Sequence, residues 1–169
     1  MTLTLSGTSS PRTWTGFLQW VGNFLALPWR GMHAEWRYEA RRIAERVIAL
    51  SPDSLTMYAH SRHAAVALYV AAMVRSHCRH TAITVHATAP PRVWFRRKWA
   101  VHYARYLASC VIDVVGAHGD PVGYCPPWFL HDSRTRWVGP KRIFAIEAHN
   151  AAYIRRYDGF EHQHKPQRV

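Results

Sequence analysis

The chain has 169 residues, 49% of them hydrophobic and 19% charged, which is enough apolar side chain for one domain with a sizeable core and excludes a disordered protein. Its 22 Lys and Arg against 10 Asp and Glu give a formal charge of +12. That charge biases the protein toward phosphates, anionic lipid surfaces or nucleic acid, but no nucleic-acid-binding motif accompanies it, and nucleic acid is not expected as the main partner.

Leu3 to Leu5 is a short apolar, β-branched run ending in the loop signal Gly7-Thr8-Ser9-Ser10-Pro11. Residues 14 to 28 are apolar and aromatic, yet Gln19, Gly22, Asn23 and Pro28 interrupt them, and the run falls short of the roughly 20 residues that span a bilayer. Met1 to Gly7 lacks a basic leader followed by an apolar stretch, so a cytoplasmic protein is expected. From Glu35 to Leu50, Trp36, Ala40, Ile43, Val47 and Ile48 recur at helical spacing, and Ser51-Pro52-Asp53 ends the helix.

Leu55 to Tyr58 reads as a strand and Arg62 to Ser76 as a largely apolar helix, with Ser61 at the corner between them. That order suits a serine nucleophile: a sharp strand-to-helix turn lifts the hydroxyl out of the sheet, and the helix start offers backbone N–H groups to an oxyanion. It suits a buried structural serine or a helix N-cap equally well. The frame Ala59-His60-Ser61-Arg62-His63 has neither of the glycines of the usual G-x-S-x-G elbow. Alanine at 59 is a mild departure and histidine at 63 a large one.

Ile83 to Ala87 is the next expected strand, Trp94 to Ala108 an amphipathic helix with Arg96, Arg97, Lys98 and Arg105 on its polar side, and Cys110 to Val115 a buried strand in which Asp113 would point into a wall. Strands alternating with helices predict an α/β fold: a small, mainly parallel sheet flanked by helices. Residues 1–161 make one domain in this reading. A loop-rich stretch follows Gly119-Asp120-Pro121-Val122, a helix is expected from Ile146 to Tyr157, and 162–169 form a flexible tail. Cys78, Cys110 and Cys125 form no disulfide framework or C-x-x-C knuckle, and the twelve histidines contain no His-Glu-x-x-His. No metal or other cofactor is expected.

Several separated stretches together resemble the class 3 lipase family of α/β-hydrolases. Leu5-Ser6-Gly7-Thr8, with Trp14 and Asn23, is similar to the family's oxyanion-strand segment. His33 matches its V-H-x-G-F, Ala59 to Ala67 its G-H-S-x-G-G-A, and Ala89-Pro90-Pro91-Arg92-Val93 its F-G-x-P-R-V loop. Asp120 to Pro127 is similar to its D-x-V-P-x-L-P-P, and His149 with Tyr153 to its terminal H-x-x-x-Y. Each motif is short, but the order Ser, Asp, His on alternating strands and helices is the order of such hydrolases. The resemblance covers residues 3 to 157 and implies a truncated α/β-hydrolase that lacks the strands preceding the oxyanion strand in larger relatives.

The implied activity is cleavage of a carboxylic ester or lipid by a catalytic triad of Ser61, Asp120 and His149. The backbone N–H groups of Thr8 and Arg62 would form the oxyanion hole. Asp-Pro is also a common turn opener, and His131 is an alternative base. His60 would pack beside the elbow and Arg92 support a loop. A rival reading is a catalytically inactive hydrolase-like binding protein whose basic surface meets an anionic partner such as a membrane or nucleic acid.

Overall fold

The computed structural model describes residues 1–5, 28–141, 146–150 and 154. In chain order they form β1 (Thr2–Leu5), β2 (Pro28–Trp29), β3 (Met32–His33), α1 (Ala34–Leu50), β4 (Ser54–His60), α2 (Arg62–His77), β5 (Ala82–Thr88), β6 (Trp94–Phe95), α3 (Arg97–Leu107), β7 (Val111–Ala117), β8 (Phe129–Leu130) and β9 (Thr135–Val138), with 3-10 turns at Pro121–Tyr124 and Ile146–His149. Five strands make one sheet in the order β1-β4-β5-β7-β9, and every pairing in it is parallel. The expected α/β architecture is present.

Alternation builds the sheet. In β4, Leu55, Met57 and Ala59 are buried, and in β5 Ile83, Val85 and Ala87 are, while Tyr58 and His86 stand on the opposite face. Against the buried face lies α2, whose alanine-rich sequence is covered almost all round from His63 to Val74. Small side chains let this helix approach the strands closely, with α1 and α3 packed beside it. The α1 stripe Trp36, Ala40, Ala44 and Val47 recurs every three or four residues and is buried. Tyr69 ties three segments together: its hydroxyl donates to the Val93 carbonyl at 2.6 Å and accepts from the His33 N–H at 3.1 Å.

A second, smaller cluster matters for the site. Ala89, Val115, Ala117, Ala148 and Ile154 are buried together at the carboxyl ends of β5 and β7, with Val138 packed on them. The 3-10 turn that carries His149 is held there by Ala148.

Three expectations change. Trp94–Phe95 is not the start of a helix but a ribbon paired with β8, because the buried Trp94 indole donates to Asp132 at 2.9 Å and Arg96 (φ 65°) is non-helical, so α3 begins at Arg97. Asp113 does not face a wall: it pairs across the sheet with His86, in register, and lies 3.3 Å from Arg136. The loop-rich stretch after Asp120 contains β8 and β9, and β9 closes the sheet edge by laying Trp137 over Gly116, where a Cβ would come within 2.6 Å of the indole. Thr8, Trp14, Asn23, Tyr153 and the tail 162–169 lie outside the described residues, as does most of the helix expected at 146–157.

Candidate active site

Ser61 stands between β4 and α2 with φ 59° and ψ −132°. A non-glycine residue in this region carries strain of about 1–3 kcal/mol and persists only where its surroundings over-determine it. Two bonds do so here: the Ser61 N–H donates to the Thr88 carbonyl at 2.9 Å, and its own carbonyl accepts from Ala64 N–H at 2.9 Å. The serine occupies the N-cap position, yet its hydroxyl makes no cap bond. It lies 2.9 Å from His149 Nε2 instead, which separates it from an ordinary N-cap serine.

Behind the imidazole, His149 Nδ1 is 3.0 Å and 3.2 Å from the two carboxylate oxygens of Asp120. An ionised carboxylate only accepts, so Nδ1 carries the proton and Nε2 presents its lone pair to the serine. Asp120 is 2% exposed. It also accepts from the Val122 N–H at 2.9 Å and caps the 3-10 turn Pro121–Tyr124. One side chain thus both opens the turn and faces the imidazole.

The three residues come from the carboxyl ends of β4 and β7 and from the turn at 146–149, the edge of a parallel sheet where ligands bind. Arg62 is the first residue of α2, so its N–H has no partner within the helix and lies at the positive end of the helix dipole. The second expected donor, Thr8, is outside the described residues. His60 packs beside the site, its ring centroid 5.1 Å from that of His149 and its Nδ1 2.9 Å from the Thr88 hydroxyl. Arg92 supports the Cys125–Pro127 loop through the Pro127 carbonyl.

His131 is not the partner of Ser61. It lies edge-on to Trp137, beside a cavity of about 300 Å³ whose walls include Arg92, His118, Asp120 and Tyr124. Burial and the nearby Arg92 hold its pKa down to about 4, against the opposing pull of the Gly123 carbonyl and Asp120.

The histidine at the elbow's second glycine position is accommodated by a contact that the sequence reading missed. His63 Nε2 is 2.8 Å from Glu39 Oε1, so its bulk lies between α1 and α2. Arg62 is held by the same helix, 3.0 Å from Glu35 and 3.1 Å from Glu39. The His63 hydrogen bond and, secondarily, the Arg62 charge keep the Glu39 carboxyl below its usual range in spite of burial. Glu35 and Glu39 are spaced i, i+4 on α1, a signal visible in the sequence, but nothing local names the cross-helix partners.

Among the described residues no group of three or more His, Cys, Asp or Glu could hold a metal ion, and no helix is long and apolar enough to cross a membrane. In comparisons with known proteins, the chain matches no protein-family model and no curated protein.

Proposed function

We propose that the protein is a serine hydrolase that cleaves a carboxylic ester, in the manner of a small class 3 lipase or esterase. The observation that carries the reading is the 2.9 Å contact of Ser61 Oγ with His149 Nε2, backed by Asp120 on Nδ1. His149 takes the hydroxyl proton as Ser61 Oγ attacks the ester carbonyl carbon. The tetrahedral oxyanion is held by the Arg62 N–H, with Thr8 as the expected second donor. Collapse breaks the carbonyl carbon–alkoxy bond, His149 protonates the departing alcohol, and Ser61 is left acylated. Water, deprotonated by the same imidazole, then releases the acid and restores the serine.

No step needs a metal or another cofactor. The free thiols Cys78, Cys110 and Cys125 fit a reducing cytoplasm. A fluorophosphonate probe with p-nitrophenyl ester turnover tests the reading. Labelling and turnover in the native protein, both lost in Ser61→Ala, are expected. A folded protein that neither labels nor turns over, yet binds an anionic partner, would instead be the inactive binding protein.

A further inference from the structure

Two short ribbons, β2–β3 and β6–β8, are joined edge to edge. In the first, Trp29 pairs with Met32 across the turn Arg30-Gly31. The Gly31 carbonyl accepts from the Phe95 N–H at 2.9 Å, which joins β2–β3 to β6. Phe95 in turn pairs with Phe129 of β8. Gly31 makes the assembly possible: its φ is +81°, and a Cβ there would fall 2.1 Å from the Trp99 ring. The Tyr103 hydroxyl braces the same turn by donating to the Arg30 carbonyl at 2.8 Å.

This platform turns apolar side chains to solvent. Trp29 is 59% exposed, Trp128 55% and Leu130 43%. Arg30, Arg96, Arg97 and Lys98 are exposed around them. Arg96 lies over the Phe95 ring and Lys98 over the Trp99 ring, at 4.9 Å and 5.6 Å. Residues 28–33, 92–99 and 126–131 contain no Asp or Glu. Among the described residues none of the four cations has an ion-pair partner.

The position is also specific. Helices that follow parallel strands begin beside the strands' carboxyl ends, so the start of α3 at Arg97 and the start of α2 at Arg62, next to Ser61, share one edge of the sheet. We infer that this platform docks the protein on an anionic lipid bilayer, with Trp29, Trp128 and Leu130 in the headgroup layer, the cations on acidic headgroups, and the Ser61 edge toward the membrane. Exposed indoles beside an aliphatic side chain and ringed by cations match the composition of a bilayer interface. Phosphate recognition alone would use the cations and leave the tryptophans without a role.

Docking does not rest on the triad, since binding needs no turnover. The test is sedimentation of the full chain with phosphatidylcholine vesicles, with and without phosphatidylglycerol. Binding to the anionic vesicles, weakening with salt, is expected. Arg30→Gln with Lys98→Gln should weaken it about 25-fold, roughly fivefold per cation. Trp29→Ser with Trp128→Ser, both substituted at exposed sites, should weaken it by about tenfold or more. Arg46→Gln, exposed in the last turns of α1, and Ser61→Ala should bind like the native protein, with thermal unfolding reporting that every variant is folded. The inference is overturned if neutral vesicles bind equally well, if the tryptophan variant binds anionic vesicles normally, or if Arg46→Gln is as harmful as the platform pair. It is also overturned if single-stranded DNA displaces the vesicles and its own binding is what the tryptophan variant loses, which would make the platform a base-stacking surface.

Discussion

Asp120 meets two donors at once, the Val122 N–H and the His149 Nδ1–H. Asparagine can keep the first, using its carbonyl oxygen, but offers its NH₂ to the second. His149 Nδ1 would then have to accept, moving the ring proton to Nε2, where it faces the serine and cannot take its proton. Asp120→Asn is therefore expected to lower ester turnover on the order of 10⁴-fold, as the same change does in serine proteases, with little change in the thermal midpoint. Turnover and probe-labelling rates measured beside the melting curve check this, and labelling at the native rate would remove Asp120 from the mechanism. Ser61 was singled out by its place between a strand and a helix, and Asp120 and His149 by the family resemblance; the structure brings the three side chains within hydrogen-bonding distance. Glu39 was not legible, because its role depends on which helix lies beside α2.

Helix α1 reaches the elbow's polar side chains through Glu35 and Glu39, and the two carboxylates do not share one environment. The Arg62 guanidinium they hold is 11% exposed at its side chain, and Glu39 is 31% exposed. Glu39→Gln leaves a nearly buried cation with one carboxylate in place of two, at an expected cost of about 1–3 kcal/mol. For a chain of this size that is about 2–4 °C of melting temperature per kcal/mol. Glu45→Gln on the same helix breaks only the Arg41 pair, whose side chains are 63% and 58% exposed. It is expected to cost no more than about 0.5 kcal/mol. Equal melting shifts for the two variants would mean that the cross-helix cluster does no more than a surface pair. The same contrast explains which elements the sequence displayed. The strands β4 and β5 and the helix α1 carry their own periodicity, and β7 and α2 are largely apolar runs of seven or more residues. By contrast β2, β3, β6 and β8 are strands of two residues, too short to show a period, and β6 and β8 pair across more than thirty residues of chain, so Trp94–Phe95 blended into the helical pattern that follows it.

Across the whole molecule, acid acts on three described groups in the same direction. His131 has its folded pKa lowered to about 4, whereas an unfolded histidine titrates near 6.5. The unfolded chain therefore binds the proton first as pH falls. The stability that comes from keeping His131 neutral is complete above about pH 6.5 and is lost progressively down to about pH 4, a change on the order of 3 kcal/mol. Glu39 and Asp132 have lowered pKa values, the first through the His63 hydrogen bond and the second because Arg134 and Trp94 outweigh its burial. Their contributions are present above the unfolded carboxyl pKa and disappear only as pH drops through the folded values, below the window that His131 governs. The +12 charge also grows on acidification and adds self-repulsion, but that part is screened at about 1 M salt, where the Debye length is about 3 Å. The His131 part is not, because its main cause is burial. Melting midpoints of native protein and His131→Asn, followed from pH 7 to pH 4 in low and in high salt, separate the two: the variant is expected to give the flatter curve in both, whatever its starting stability. Curves of equal slope at high salt would assign the acid sensitivity to net charge and leave the buried imidazole without a part in it.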